Sequence, residues 1–376
     1  MKVLFLINNI LEKNNGVTNK IMAQFSALSR FSDVQICHLN FAENMYSRVF
    51  YSEENTSYKE KWVCGKKRKF KNSFLFDYTD VLNLCIATGF DVIYVRYTHF
   101  SNPAFIAFLS QLKENRIKVI LEIPNYPYDS EYSKLNLFSK TKLLIDRVYR
   151  NRLVKFVDRV ATMSDDPLIF GIPATKINNG VSQKYLLNSD VNAKSLAKIR
   201  FVAAANIASW HGYDRFIISL SKMPKRYFDM VEFHLIGVGD ELENLKKLAR
   251  RLNLTSIIYF HGDQDIDFLC KTYSSSHIGV DSLGRHRSNN SSNDSIKSKE
   301  YLSCGLPVIM SHVDNLISDK NFVYKVPSND SPFDIGDIVE WYLKMDFNSS
   351  RATVNKFATE KCSWESILYS VIRGVQ

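Results

Sequence analysis

Glycine and proline are scarce in this chain, with 14 and 9 among 376 residues. That scarcity argues against long disordered linkers and low-complexity arms. No run of 18 or more apolar residues occurs, so no segment reads as a membrane-spanning helix. The apolar opening at residues 3–7 gives way to Asn8-Asn9. It is too short for a signal peptide and reads as a first buried strand. The six cysteines lack CxxC spacing and an adjacent histidine cluster, so no metal site is expected. Cys37, Cys85 and Cys270 lie among apolar residues and read as reduced core residues of a cytosolic protein. A full GxGxxG is also missing, because Gly237-Val238-Gly239 stops short of it, which argues against a nicotinamide cofactor.

What is present is a hydrophobic share of 45%, enough for the cores of two domains of ordinary size. The net charge of +10 is uneven. Residues 1–183 hold 25 Lys and Arg against 17 Asp and Glu, and residues 184–376 hold 24 against 22. Basic clusters fall at Lys66-Lys67-Arg68-Lys69 and along 140–159. The second cluster reads as an amphipathic helix, with Leu143, Leu144, Val148, Leu153 and Phe156 opposite Lys142, Arg147, Arg150, Arg152 and Lys155. Such a pattern suits a face resting on anionic lipid and equally a solvated helix. No nucleic-acid-binding motif accompanies the charge.

Apolar strand patterns at 3–7, 34–39, 92–96, 119–123 and 159–163 alternate with helical patterns near 18–30, 78–88, 102–115 and 134–157. The alternation predicts βαβ units and a mainly parallel sheet. Residues 43–75 are polar, aromatic and basic, and read as an insertion or mobile loop. A boundary is expected near 180–198, from Asn179-Gly180 and the polar Asn188-Ser189-Asp190. Beyond it the alternation restarts with a strand at 200–205.

The most telling stretch is 295–309. It reads as a helix, a sharp stop and a buried strand, with Asn293, Asp294 and Ser295 as N-cap candidates. Gly305 falls where a left-handed C-terminal residue belongs, and Pro307 prevents continuation. Lys297 and Glu300 share one face near the helix N-terminus, an end whose free N–H groups suit a phosphate.

These features lie in a longer series: Phe233-His234-Leu235-Ile236-Gly237-Val238-Gly239-Asp240-Glu241, the strand ending at His261-Gly262, the strand His277-Ile278-Gly279-Val280-Asp281, and upstream Ala205-Asn206-Ile207-Ala208-Ser209-Trp210-His211-Gly212. The series resembles the C-terminal half of a GT-B glycosyltransferase, close to glycosyltransferase family 4. Glu122-Ile123-Pro124-Asn125-Tyr126-Pro127-Tyr128-Asp129 and Asn178-Asn179-Gly180-Val181 extend the resemblance to nearly the whole chain.

The resemblance implies an α/β fold of two Rossmann-like domains facing each other across a cleft. Residues 1–183 would form the acceptor domain and 184–357 the donor domain, with 358–376 crossing back. It implies donor contacts at Asn206, His211, Gly212, Gly237, His261, Gly262, Arg285, Arg287, Ser295, Ile296, Lys297 and Glu300. Acceptor contacts would fall at Gly16, Arg96, His99, Asn125, Tyr126 and Asp129. Glu122, Lys297 and Glu300 are the candidate catalytic residues, Glu122 either orienting an acceptor hydroxyl or acting as a base, or else only pairing with Arg96 or capping a turn. His211 has a second reading, as a cap of the helix that follows it.

The chain departs from the family pattern at three places. Ser292 stands where a first carboxylate belongs, Asn206 where many members have Arg, and His211 where they have Lys. The implied activity is retaining, metal-independent sugar transfer, without cofactor, from a UDP- or GDP-linked donor to a sugar or lipid-linked acceptor in bacterial surface-polysaccharide synthesis. A cytoplasmic protein, peripheral on the inner membrane face, is the implied setting. The departures motivate an alternative, a catalytically inactive partner or chaperone subunit. A GT-B nucleotide-sugar epimerase is the second.

Overall fold

The computed structural model describes residues 1–12, 16–54, 57–133, 137–182, 185, 198–289, 291–345 and 347–375. The Asn188-Ser189-Asp190 stretch lies outside the described residues. The chain divides into two compact units, Met1–Asn178 with Trp364–Gln376, and Asn179–Ser363.

The first unit holds strands β1 (Lys2–Ile10), β2 (Asp33–Ala42), β3 (Met45–Glu54), β4 (Ser57–Arg68), β5 (Val92–Arg96), β6 (Lys118–Ile123), β7 (Arg159–Thr162), β8 (Leu168–Ile169) and β9 (Ile172–Lys176). They form one sheet in the order β4-β3-β2-β1-β5-β6-β7-β9-β8. Pairings from β2 across to β9 are parallel. Both faces are covered, as a parallel sheet requires. Along β1, Leu4 and Leu6 point into one core, whereas Val3, Phe5 and Ile7 point into the other. The last helix, Trp364–Arg373, closes that second core with Trp364, Leu368, Val371 and Ile372 against Ile21, Phe25 and Leu28 of the Gly16–Leu28 helix.

Two expectations are corrected here. Residues 43–75 are not a loop: β3 and β4 form an antiparallel hairpin that extends the sheet beyond β2. Glu43 and Asn44 supply the left-handed turn joining β2 to β3, at φ 53° and 59°. Buried Arg48 anchors β3, donating to Asp77 O at 2.9 Å and Phe74 O at 2.8 Å. In sequence it looks like a surface charge.

The amphipathic segment is also turned differently. Its helix is Leu137–Tyr149, followed by a 3-10 stretch at Arg150–Lys155. Leu143 and Leu153 are buried, but Leu144 and Val148 face outward with Leu137 and Phe138, all 60–80% exposed. The cause is Asp146, a fully buried carboxylate on the inner face. It accepts from Tyr97 Oη, from Tyr128 Oη at 2.6 Å and from Ser101 N at 2.7 Å.

The second unit holds β10 (Ile199–Ala204), β11 (Val231–Ile236), β12 (Ile258–Gly262), β13 (Ile278–Val280), β14 (Val308–Met310) and β15 (Val323–Lys325). All are parallel, in the order β12-β11-β10-β13-β14-β15. Strand order reverses between β10 and β13, where ligands bind in open α/β sheets. The helix Ile296–Ser303 leads into β14. It ends as expected, with Gly305 at φ +74°. No described helix is long and apolar enough to cross a membrane.

Candidate functional site

At the carboxyl ends of β10 and β13 two loops meet backbone to backbone. Gly212 is left-handed at φ +65°, and a Cβ there would lie 2.6 Å from Gly284 N. Leu283 N donates to His211 O at 2.8 Å. Buried Arg215 clamps the same junction, donating to Leu283 O, to Pro327 O at 3.0 Å and to Ser331 O at 2.8 Å. The adjoining Gly237 and Gly239 also need their positive φ. A Cβ on Gly237 would lie 1.9 Å from Ala205 O, and one on Gly239 would lie 2.2 Å from Ile207 O.

This junction fixes His211. Its Nδ1 accepts from Ala208 N at 3.0 Å, so the ring does not cap the Tyr213–Ser221 helix. Burial and the nearby Lys297 hold its pKa down at about 3, so the ring is neutral. A neutral imidazole whose Nδ1 accepts carries its proton on Nε2. Lys297 Nζ lies 3.1 Å from that Nε2. Two donors therefore face each other, an arrangement completed by an acceptor between them.

The helix N-terminus lies beside this pair. Ser295 is the N-cap by backbone, but its side chain makes no capping bond. Ser295 and Ser298 instead direct their hydroxyls to Asp281, the buried carboxylate just past β13. Asp281 lies 3.6 Å from His312 Nε2, and its pKa sits at about 2 despite burial because His312, Lys297 and the two hydroxyls favour the anion. Glu300 lies behind Lys297, where burial lifts its pKa to about 7 against the pull of Lys297 and the Tyr185 hydroxyl. Lys299, on the opposite face, is fully buried between Asp294 and Asp314.

The remaining donor candidates divide. Arg285 has a buried Nε with no hydrogen-bond partner among the described residues. Arg287 is engaged, bidentate with Asp214 at 2.9 and 2.8 Å and bonded to Asp330 at 2.7 Å. Asn206 is exposed just past β10, and Ile296 is 41% exposed at the helix start. His261 turns its Nε2 to His234 Nδ1 at 2.9 Å, leaving open space above Gly262.

In the first unit, order reverses at β1, between β2 and β5. A cavity of ≈ 250 Å³ opens there, lined by Asn8, Asn9, Lys71, Asn72, Arg96, Thr98, His99 and Lys142 among others. Glu122, by contrast, is fully buried, paired with Arg96 at 2.9 Å and with Gln24 Nε2 at 3.3 Å. Asp129 is held by Arg150 at 2.6 Å and by Arg147 at 2.8 Å. Tyr126 packs edge-on to Phe170, Asn125 is exposed, and Gly16 starts its helix with open space at its Cα. Sequence reasoning missed Asp281, Arg215, Lys299, Asp146 and Lys71. Only Asp281 carried a signal, its place at the carboxyl end of a predicted strand.

Residues 198–344 match the family described as Glycosyl transferases group 1. A 197-residue stretch is 26% identical to an uncharacterized glycosyltransferase of Methanocaldococcus jannaschii, covering 47% of each chain. The match thus spans about half the length of that curated relative. A glycosyltransferase from Rickettsia africae superposes with a TM-score of 0.59 at 14% identity, over 99% of this chain and 97% of that one. A trehalose-6-phosphate structure from E. coli, bound with UDP-2-fluoro glucose, gives 0.59 at 12% identity, over 100% and 99%. The chain has the GT-B glycosyltransferase fold, and its likeness to the group 1 family lies in the second unit.

Proposed function

We propose that the protein is a glycosyltransferase whose nucleotide-sugar donor binds at the carboxyl ends of β10 and β13. The observation that carries this reading is the facing pair of donors, His211 Nε2 and Lys297 Nζ, beside an uncapped helix N-terminus. Two proton donors and a helix dipole form an acceptor-seeking corner suited to a diphosphate. Glu300 would take the ribose hydroxyls. The base would lie over Gly262, where a side chain is absent.

In this reading the acceptor hydroxyl attacks the anomeric carbon on the face the diphosphate leaves. The departing phosphate takes the hydroxyl proton, and configuration is retained. The role of Lys297 and Arg285 is to stabilise charge on the leaving diphosphate. Glu122, already engaged by Arg96, serves the first unit as an ion pair. Transfer without a metal, to a sugar or lipid-linked acceptor in bacterial surface-polysaccharide synthesis at the inner membrane face, completes the proposal. The outward apolar row Leu137, Phe138, Leu144 and Val148, flanked by Lys140, Arg147 and Arg152, supports the membrane part.

A thermal-shift screen against UDP, GDP, ADP, CMP and TDP and their sugar conjugates, without added metal, tests the donor site. A shift with one nucleotide family supports it, because a ligand that binds only the folded state raises stability. No shift with any of them overturns it and favours the inactive-partner reading. That reading draws on the neutral Asn206 and His211 and on the engagement of Arg287 by two carboxylates.

A further inference from the structure

The cavity in the first unit is built for an anion. Lys71 and Lys142 both line it, and no aspartate or glutamate does. The Arg96 charge is already matched by Glu122. Lys142 Nζ donates to Thr98 O at 2.6 Å and lies over the rings of Phe100 and Tyr132, which leaves further N–H groups for a ligand. Burial draws the Lys142 pKa down to about 8, with Asp146 opposing the shift and Lys71 adding a smaller push in the same direction. The Lys71 side chain has no hydrogen-bond or ion-pair partner among the described residues.

Two lining residues also hold buried polar atoms that have no partner among the described residues. His99 sits in the left-handed region at φ 53°, its ring stacked on Tyr128 at 3.9 Å. Its Nδ1 lies 3.3 Å from Tyr132 Oη, while its Nε2 is buried without a partner. The Oδ1 of Asn8, a side chain 5% exposed, is likewise buried without a partner. A bulky residue kept at positive φ marks a place where local strain is tolerated for the shape it gives. Two ammonium groups in one lining with the exposed amides of Asn9 and Asn72 suit a ligand that has both an anion and hydroxyls.

We infer that this cavity binds a phosphate-bearing sugar, Lys71 and Lys142 holding the phosphate and the exposed amides of Asn9 and Asn72 the hydroxyls. As an acceptor site it rests on the glycosyltransferase reading above; as an anion site it stands alone. The phosphate belongs either to a soluble sugar phosphate or to the diphosphate of a lipid carrier.

Calorimetric titration of the full chain, with and without saturating UDP, tests the assignment using glucose, glucose 6-phosphate and farnesyl diphosphate. Glucose 6-phosphate is expected to bind about tenfold or more tightly than glucose, the scale of a charge-assisted hydrogen bond. Lys71→Ala and Lys142→Met are each expected to weaken it about tenfold, leaving the UDP thermal shift unchanged. Lys71 lies at the start of a 3-10 turn, so its variant tests the site even if Lys142→Met misfolds. Farnesyl diphosphate binding that needs the same lysines, without glucose 6-phosphate binding, assigns the phosphate to a lipid carrier. Equal binding of glucose and glucose 6-phosphate, binding of no phosphate probe, or indifference to both substitutions overturns the inference. Lysine-dependent phosphate binding without any UDP shift leaves the cavity assigned and removes the transferase reading.

Discussion

Lys297 Nζ and His211 Nε2 lie 3.1 Å apart, and each presents a proton to the other. No hydrogen bond forms between two donors, so the contact is relieved only when an acceptor joins both. His211→Ala and Lys297→Ala should therefore each weaken UDP binding about tenfold while changing uridine binding little. Paired titrations with UDP and uridine check this, and equal losses for both ligands would contradict it.

The clamp made by Arg215 reaches three backbone carbonyls from a buried position. Arg215→Ala should destabilise the protein by about 3 kcal/mol, since buried carbonyls lose their partners and a cavity opens. Urea denaturation measures it. A change below about 0.5 kcal/mol, the range of ordinary surface substitutions, would remove the clamp from the account.

Four histidines, at 99, 211, 234 and 277, are held by burial at pKa values of about 3 to 4. Their unfolded-state values are near 6.5, so between pH 6.5 and 4 the unfolded chain binds more protons than the folded one. Stability should fall as pH drops through that window. Calorimetry across it checks the sign, and a flat Tm from pH 6.5 to 4.5 would refute it. Glu300 acts in the opposite sense. Its raised pKa favours the neutral form, so Glu300→Gln should raise Tm more at pH 8 than at pH 5.

The outward row on the Leu137–Tyr149 helix predicts a membrane response with two parts. Phe138→Asp with Leu144→Asp should abolish co-sedimentation with anionic vesicles at any salt. The native chain should lose it gradually as salt rises. Absence of co-sedimentation by the native chain would leave the row as an ordinary exposed face.

The two parallel sheets and the stop at Gly305 were legible because their signals are local: short apolar runs, a glycine, a proline. The hairpin after β2 was missed because its turn, Glu43-Asn44, contains no glycine, although asparagine tolerates the left-handed region. The outward turn of Leu144 and Val148 on the helix at 137–149 was not legible because hydrophobic spacing cannot foresee a buried Asp146 satisfied by two distant tyrosines. For the same reason the helix at 296–303 showed only the shared face of Lys297 and Glu300. Its neighbour Lys299 is the buried lysine, matched by Asp294 and Asp314 from other turns of the chain. Charged residues took their places from partners outside their own helices, and such partners leave no periodic trace.

The backbone contact between Gly212 and Gly284 leaves no slack between the loops after β10 and β13. A single methyl group is enough to wedge them apart. Gly212→Ala would thus act as a spacer, parting His211 from Arg285 without altering either side chain. The fit of the donor corner is gauged by the thickness of one hydrogen atom at Gly212.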